Sequence, residues 1–298
     1  RQRQPEGHRG RPRRLMGTVP YAWSGTDAQG NQRTGSGALE VATTAACVFG
    51  QQFASGTVGA LPAGTVVPAA RIYFQPGDFT GSGQPTWTNQ SLITSALNRG
   101  ASTFILSMKD ATPTALGKWV TFLRSIPFAM KPNVWCIYMH EHEAKLRSGS
   151  MTFAEYDANF DAVRQVTQAE GFKFGPLHNG LNRNAADTAW IFGNYVEPSS
   201  LGLCDFDALD CYDPNDKGAN SLFFSAAGWW PYFRDTGLPI LIGETGSPAG
   251  TKQPGFAAEM RAACLARPQI RVACWWNQQF TGNPDYRMTA ATVSTWLP

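Results

Sequence analysis

Eight short apolar runs alternate with longer amphipathic segments along this chain of 298 residues, and this alternation limits the possible folds more than any other feature. Gly, Pro, Asn and Asp separate the runs, as at turns between strands and helices. Strands that alternate with helices are typical of a parallel sheet, in which each helix returns the chain for the next strand. The predicted strands are residues 15–19, 70–74, 102–108, 134–140, 172–177, 206–212, 239–244 and 271–277.

Two architectures fit eight such units, a closed barrel and an open doubly wound sheet. No GxGxxG or GxxxxGK[ST] phosphate loop follows any of the strands, which favours the barrel. We therefore predict an α/β fold, a single-domain (β/α)₈ TIM barrel over residues 15–298. Residues 38–54 are expected to form its first helix. The helix after Met151 is the clearest, because Thr152 and Glu155 form a capping box.

Charge is concentrated at the N-terminus. Residues 1–14 contain six Arg and one Glu, a net +5 in a chain of net +3, which leaves −2 for the remainder. We expect this basic segment to be a disordered extension. A body that is almost neutral gives no reason to expect a nucleic-acid partner.

Composition and cysteine spacing restrict the chain further. No apolar run reaches the 18 residues of a membrane span, so we expect no membrane partner. None of the six cysteines forms a CxxC pair, so no metal site is predicted. If a disulfide exists, Cys204 and Cys211 are the candidates. We expect a monomeric, secreted protein whose leader has been removed, and a cytoplasmic location stays open.

Two glutamates stand where the catalytic face of a barrel is expected. An active site of this fold lies at the carboxyl ends of the strands. The fourth predicted strand leads into Glu141 and Glu143, and the seventh leads into Glu244. Glu143 lies two residues beyond Glu141, on the same side of an extended chain, so either glutamate could place its carboxyl group in the site, and Glu143 stays an alternative to Glu141 as the catalytic acid. His178 ends the fifth strand and is expected to contact substrate or to support the site.

Two facing carboxyl groups suit the hydrolysis of a glycosidic bond. With retention of configuration, one group protonates the leaving oxygen and the other attacks the sugar. We expect Glu141 to be the acid/base and Glu244 the nucleophile. This chemistry requires no cofactor.

The motifs around these glutamates resemble those of clan A glycoside hydrolases. His140-Glu141 at the end of strand four is similar to glycoside hydrolase family 26 in particular, although the following residues depart from that family's Met-Asn-Gly. The segments CDFDALDCYDPN (204–215), IGETG (242–246) and VACWWN (272–277) resemble its strands six, seven and eight.

The resemblance implies roles for further residues. Tyr212 would donate a hydrogen bond to the nucleophile Glu244, and His140 would orient the site. Trp275 or Trp276 would form the floor under the attacked sugar, whichever of the two faces the barrel. Arg71 would correspond to an arginine close to the nucleophile.

The expected activity is therefore a retaining, endo-acting glycosidase that cleaves a polysaccharide of the β-mannan, β-xylan or β-glucan type. Two alternatives stay open. The same site could transfer the glycosyl group to another sugar, or the barrel could bind carbohydrate without cleaving it.

Overall fold

The computed structural model divides the chain into two compact units, residues 1–46 and 47–298. Residues 1–15 are outside the described part, so the disordered extension over 1–14 stays a prediction. The described residues are 16–26, 32–42, 47–53, 61–80, 83–140, 142–179, 203–215, 217–219, 223–225, 228–279 and 284–298.

The first unit contains a β-hairpin. Strand β1 (Met16–Thr26) pairs antiparallel with β2 (Gln32–Ala42) in a separate two-stranded sheet. The sequence between them contains Asp, Gly and Asn, which favour turns. The strand expected at 15–19 lies largely in β1, so its assignment as the first barrel strand is wrong.

The second unit contains a parallel sheet of nine strand segments. Its order is β7-β6-β5-β4-β3-β11-β10-β9-β8. Only residues 175–177 separate β7 from β8, so both ends of the sheet belong to one stretch of chain, which closes the barrel. The predicted α/β TIM barrel is confirmed. Its strands are β3 (Val48–Phe53), β4 (Ala69–Phe74), β5 (Thr103–Met108), β6 (Val134–Tyr138), β7 (Lys173–Phe174), β8 (His178–Asn179), β9 (Asp207–Tyr212), β10 (Ile240–Gly246) and β11 (Ile270–Trp275).

The first barrel strand lies within the segment that was expected to be a helix. Ala and Gln favour a helix around residues 38–54, but Val48–Phe53 pairs with strands on both sides. Gly50 allows this contact, because a Cβ there would lie 1.9 Å from the carbonyl oxygen of Ala69. Barrel closure therefore outweighs local helix propensity.

Helices follow most of the strands. The capping box predicted at Thr152 and Glu155 is present at the start of the longest one, and Gly171 follows its end with a φ of +80°. The described helices are α1 (Pro76–Thr80), α2 (Ser91–Asn98), α3 (Pro113–Ser125), α4 (Glu143–Ser148), α5 (Phe153–Ala169), α6 (Trp230–Thr236), α7 (Gln253–Leu265) and α8 (Ala290–Trp296).

The core has two layers, because strand side chains alternate between the faces of the sheet. Ile137, Leu241 and Val272 belong to an inner cluster that fills the barrel. A larger outer cluster includes Trp119 and Phe256 from helices and packs them against the sheet. This division shows which side chains of each strand can reach a site inside the barrel.

Candidate active site

Glu244 is buried near the carboxyl end of β10, and a β-bulge sets its direction. In the pairing with β9, Ile242 lies opposite Leu209 and Glu244 opposite Asp210, so Gly243 is an extra residue. A bulge changes the direction of the side chains that follow it. Glycine suits this position, since a Cβ on Gly243 would lie 2.3 Å from Leu177 Cδ1 and 2.6 Å from Asp210 Oδ1, and both side chains would have to move. The bulge therefore brings the Glu244 carboxyl group beside the inward-facing residues of β9.

The hydrogen bond expected between Tyr212 and Glu244 is present. The Tyr212 hydroxyl donates to Glu244 Oε2, and both side chains are buried. Burial raises the pKa of Glu244 to about 7, although the positive charge of Arg71 acts in the opposite direction. Glu244 can therefore exist in either protonation state near neutral pH.

Arg71 lies inside the barrel on β4, with no exposed surface. Its Nε donates to the hydroxyl of Tyr73 at 3.1 Å. Burial disfavours the charge, but Tyr73, Asp210 and Glu244 outweigh it and keep the pKa of Arg71 above its ordinary value. Arg71 is therefore a permanent positive charge beside Glu244, as the resemblance implied.

His140 follows the fourth barrel strand and contacts Tyr73. Their ring centroids are 4.2 Å apart, so His140 belongs to the same group as Arg71. Burial lowers the pKa of His140 well below its ordinary value, and the charges of Arg71 and Lys109 add to this effect. The imidazole is thus neutral at neutral pH, which suits hydrogen bonding rather than charge pairing.

Glu141 lies outside the described residues, so its position as the acid/base stays a prediction. The residues before it are described. Met139 has a φ of +48°, the left-handed region that L-residues other than Asn and Asp rarely adopt. Its N–H still donates to the carbonyl oxygen of Met108 at 2.8 Å. The chain therefore turns sharply as it leaves β6, and His140 follows this turn.

The tandem tryptophans face opposite sides of the sheet. Trp275 is completely buried among the helices, with ring centroids 5.9 Å from Phe256 and 5.4 Å from Trp296. Its assignment as a possible sugar platform is therefore wrong. Trp276 faces the barrel, is partly exposed, and has its ring centroid 4.8 Å from that of Tyr212.

Tyr286 is a site residue that the sequence did not reveal. Its ring is parallel to that of Trp276, at a centroid distance of 5.7 Å and an angle of 2°. It also contacts Tyr212 edge to face. The indole N–H of Trp275 donates to the Tyr286 carbonyl oxygen at 2.9 Å, which fixes that loop. No strand pattern surrounds Tyr286, so no signal in the sequence pointed to it.

Glu143 and His178 lie in a buried polar network outside the barrel interior. His178 Nε2 is 2.9 Å from Asp207 Oδ1, and the His178 ring packs edge to face against Phe233 of α6. Glu143 Oε1 accepts the backbone N–H of Asn179 at 3.0 Å and lies 3.8 Å from His178 Nδ1. These contacts lie between sheet and helices, so of the two roles expected for His178 they favour support of the site. Glu143, the alternative to Glu141 as acid/base, lies in the same layer and contacts β8 instead of the barrel interior.

Burial and neighbouring charges act in opposite directions on the pKa values of Glu143 and His178. Burial raises the pKa of Glu143, and nearby His178 reduces this effect. Burial also disfavours the charged form of His178, but Asp207 and Glu143 outweigh it and raise the pKa of His178 above its ordinary value. The network therefore joins the residues after β6 to β8 and β9 through paired charges and hydrogen bonds.

Metal sites, membrane-spanning helices and disulfides are all absent from the part of the chain that the structure describes. Within them, no three His, Cys, Asp or Glu side chains are grouped to hold a metal ion. No described helix has the length and apolar character needed to cross a bilayer. All six cysteines are free, so the two candidates for a disulfide, Cys204 and Cys211, are not bonded to each other.

Comparison with solved structures identifies similar barrels. A beta-glycosidase from Pyrococcus horikoshii is 12% identical over 76% of this chain and 79% of that chain, with a TM-score of 0.50. The likeness is one of fold. A family 5 xyloglucanase from Paenibacillus pabuli is 14% identical over 85% and 95% of the two chains, with a TM-score of 0.48. A GH5 xyloglucan-specific endo-beta-1,4-glucanase from a metagenomic library is 15% identical over 83% and 95%, with a TM-score of 0.47.

No family model and no curated protein matches the sequence. These solved structures do not test the resemblance to family 26, so it stays a prediction.

Proposed function

We propose that the protein is a retaining glycoside hydrolase acting on a polysaccharide, with Glu244 as the nucleophile. One observation carries the proposal. A carboxyl group at the carboxyl end of a barrel strand is buried, accepts a hydrogen bond from Tyr212, and lies beside the charge of Arg71. The barrel of the Pyrococcus horikoshii beta-glycosidase gives independent support, since it has a similar fold.

The proposed reaction has two displacements. In the first, an oxygen of Glu244 attacks the anomeric carbon while Glu141 protonates the leaving oxygen. In the second, Glu141 removes a proton from water while the water oxygen attacks the anomeric carbon, and the bond between that carbon and the Glu244 oxygen breaks, which releases the sugar. Arg71 stabilises the ionised carboxylate, and Tyr212 orients it for attack.

Trp276 suits the floor of the proposed sugar site. It faces the barrel beside Tyr212, whose hydroxyl group donates a hydrogen bond to the proposed nucleophile, Glu244. The faces of sugar rings carry C–H groups that pack on flat aromatic rings. The Tyr286 ring is stacked parallel to that of Trp276 and helps to hold the indole in place.

We also propose that the substrate is a β-linked polysaccharide cleaved internally, with mannan, xylan and glucan as the candidates. A screen of reducing ends released from a panel of these polysaccharides tests the activity. Proton NMR of the first product then shows whether the anomeric configuration is retained. Release of an inverted sugar would exclude a covalent intermediate on Glu244, and measurable binding without cleavage of any glycan would favour a binding barrel.

The two tryptophans provide a matched pair of variants. We expect Trp276→Ala to lower kcat/KM on the order of 10–100-fold, because it removes the proposed sugar contact. The change in Tm should be small, because the indole is partly exposed and its ring contacts are those with Tyr212 and Tyr286. Trp275→Ala removes a buried ring and should lower stability by about 3–5 kcal/mol, which corresponds to a Tm lower by on the order of 10 °C. Steady-state kinetics and thermal unfolding of both variants separate these effects. The opposite pattern would mean that Trp276 is not the sugar platform.

A further inference from the structure

Two cysteine thiols lie close to the barrel seam, where the first barrel strand, β3, pairs with the last, β11. Cys47 is the first residue of the second unit and directly precedes β3, and Cys264 lies in the last turn of α7. Both side chains are buried, and the thiol of Cys264 is close enough to that of Cys47 to raise its pKa. The Cys47 thiol itself donates to the carbonyl oxygen of Val48 at 3.9 Å. Because β11 is the strand that follows α7, Cys47 directly precedes one strand of this seam, and Cys264 lies in the helix that leads to the other.

A second contact between β3 and α7 shows independently that the face of β3 carrying Cys47 packs against the face of α7 carrying Cys264. Phe49 lies two residues after Cys47 and shares its face of an extended chain. Arg261 lies three residues before Cys264 and shares its face of the helix. The Arg261 guanidinium lies 4.9 Å from the centroid of the Phe49 ring. The strand and the helix thus pack in the register that brings the thiols together.

The other cysteines are worse partners. Cys274 lies on β11, but it belongs to the inner cluster and faces the barrel, whereas Cys47 belongs to the outer cluster. Cys136 lies on β6, on the opposite part of the sheet from β3. Cys204 precedes β9 and Cys211 lies on it, and β10 and β11 separate β9 from β3 in the sheet.

We propose that Cys47 and Cys264 are a disulfide-forming pair that covalently locks the barrel seam under oxidising conditions. The reaction is a thiol–disulfide exchange with a small-molecule disulfide such as oxidised glutathione. One cysteine thiolate attacks the glutathione disulfide and releases one glutathione, and the second cysteine attacks the mixed disulfide and releases another. Two electrons and the two cysteine protons pass to glutathione, which is reduced to two thiols.

The pair should form its bond during folding rather than afterwards. The hydrogen bond from Cys264 and burial both raise the pKa of Cys47, so its thiol is protonated and unreactive in the finished fold. During folding the thiols are accessible while β3 and α7 approach each other. Once formed, the bond would join parts of the chain that are far apart in sequence, which strongly restricts the unfolded chain.

The pairing is tested by refolding the full chain from urea in a buffer of reduced and oxidised glutathione. Remaining thiols are alkylated, and tryptic peptides are identified by mass spectrometry. We expect the peptide 34–71 to be linked to the peptide 262–271, with Cys136 and Cys274 alkylated. The proposal is wrong if Cys47 and Cys264 are alkylated as fully as Cys136 and Cys274, or if either is linked mainly to another cysteine.

A stability measurement keeps the test independent of refolding yield. The natively purified protein is compared with and without a strong reductant, alongside the variants Cys264→Ala and Cys211→Ala. We expect oxidation to raise Tm by on the order of 5–10 °C in the wild type and in Cys211→Ala. Cys264→Ala should show no such difference. An equal response of the wild type and Cys264→Ala to the reductant would overturn the proposal.

Discussion

Replacing Glu244 with Gln is expected to lower turnover on the order of 10⁴-fold or more, the scale seen when an enzyme loses its nucleophile. Gln has the size of Glu and can keep the contact with Tyr212, but its amide cannot attack the anomeric carbon. The fold should persist, because Asp210 still compensates for the buried charge of Arg71. Initial rates on the best polysaccharide of the panel and the far-UV circular dichroism spectrum measure the two effects.

A matched control for this variant is available on the surface. Glu170 forms an ion pair with Arg124, and the two side chains are 17% and 68% exposed. Such pairs contribute little to stability, so Glu170→Gln should retain full activity. The nucleophile assignment fails if Glu244→Gln keeps more than a small fraction of wild-type turnover. It also fails if a mechanism-based inhibitor labels a residue other than Glu244.

The sequence was informative where one residue type has a clear position and a clear chemical role. Glu244 and Tyr212 both stand at the carboxyl ends of apolar strands, and the structure joins them by a hydrogen bond. Strand ends in a parallel barrel converge, so linear position was sufficient to bring these residues together. The bulge at Gly243 could not be predicted, because it depends on the register between β9 and β10.

The sequence was misleading where tertiary contacts decide the outcome. The segment around Val48–Phe53 has the composition of a helix, yet it closes the barrel because it finds partners in β4 and β11. The hairpin of β1 and β2 has strand character without belonging to the barrel. Local patterns identify strands, but they do not say which sheet a strand joins.

Side-chain direction was the second limit. His178 ends a strand, as predicted, but it faces Asp207 and Phe233 in the layer between sheet and helices. Alternation predicted that only one of Trp275 and Trp276 faces the barrel, and it could not say which. A shift of one residue in the phase of a strand exchanges its two faces, and sequence rarely fixes that phase.

Several ionisable side chains are buried together inside the barrel, and their charges act on one another. Arg71 is completely buried and interacts with both Asp210 and Glu244. A buried charge is tolerated only when opposite charges or hydrogen bonds compensate for its lost hydration. Arg71 therefore has two effects. It compensates for buried negative charge in the fold, and it favours the ionised form of the proposed nucleophile, Glu244.

Replacing Arg71 with Met should therefore reduce both stability and activity. Loss of one partner of a buried charge pair costs about 3–5 kcal/mol, which corresponds to a Tm lower by on the order of 10 °C. Arg71→Lys keeps a positive charge and should retain most of this stability. Arg124→Met is the control, because it removes only the exposed pair with Glu170. Thermal unfolding of the three variants at pH 8 gives the comparison.

The effect of Arg71 must also depend on pH in a defined direction. Burial raises the pKa of Glu244 from 4.5 to about 7 in the folded protein, so ionisation of Glu244 destabilises the fold as the pH rises through this interval. Without Arg71 the pKa of Glu244 rises further, and the cost of its ionised form increases. The stability difference between Arg71→Met and the wild type should therefore be largest at pH 8 and shrink towards pH 5, where Glu244 is protonated in the folded state.

The pH dependence of catalysis should show the same change in the pKa of Glu244. In the wild type, kcat/KM should fall about tenfold per pH unit below pH 7, because the protonated form of Glu244 cannot attack. In Arg71→Met this acidic limb should move to higher pH, whereas in Arg71→Lys it should stay near the wild-type position. An acidic limb that is unchanged in Arg71→Met would show that Arg71 does not control the ionisation of the catalytic carboxylate. The positive charge inside the barrel would then serve the fold alone.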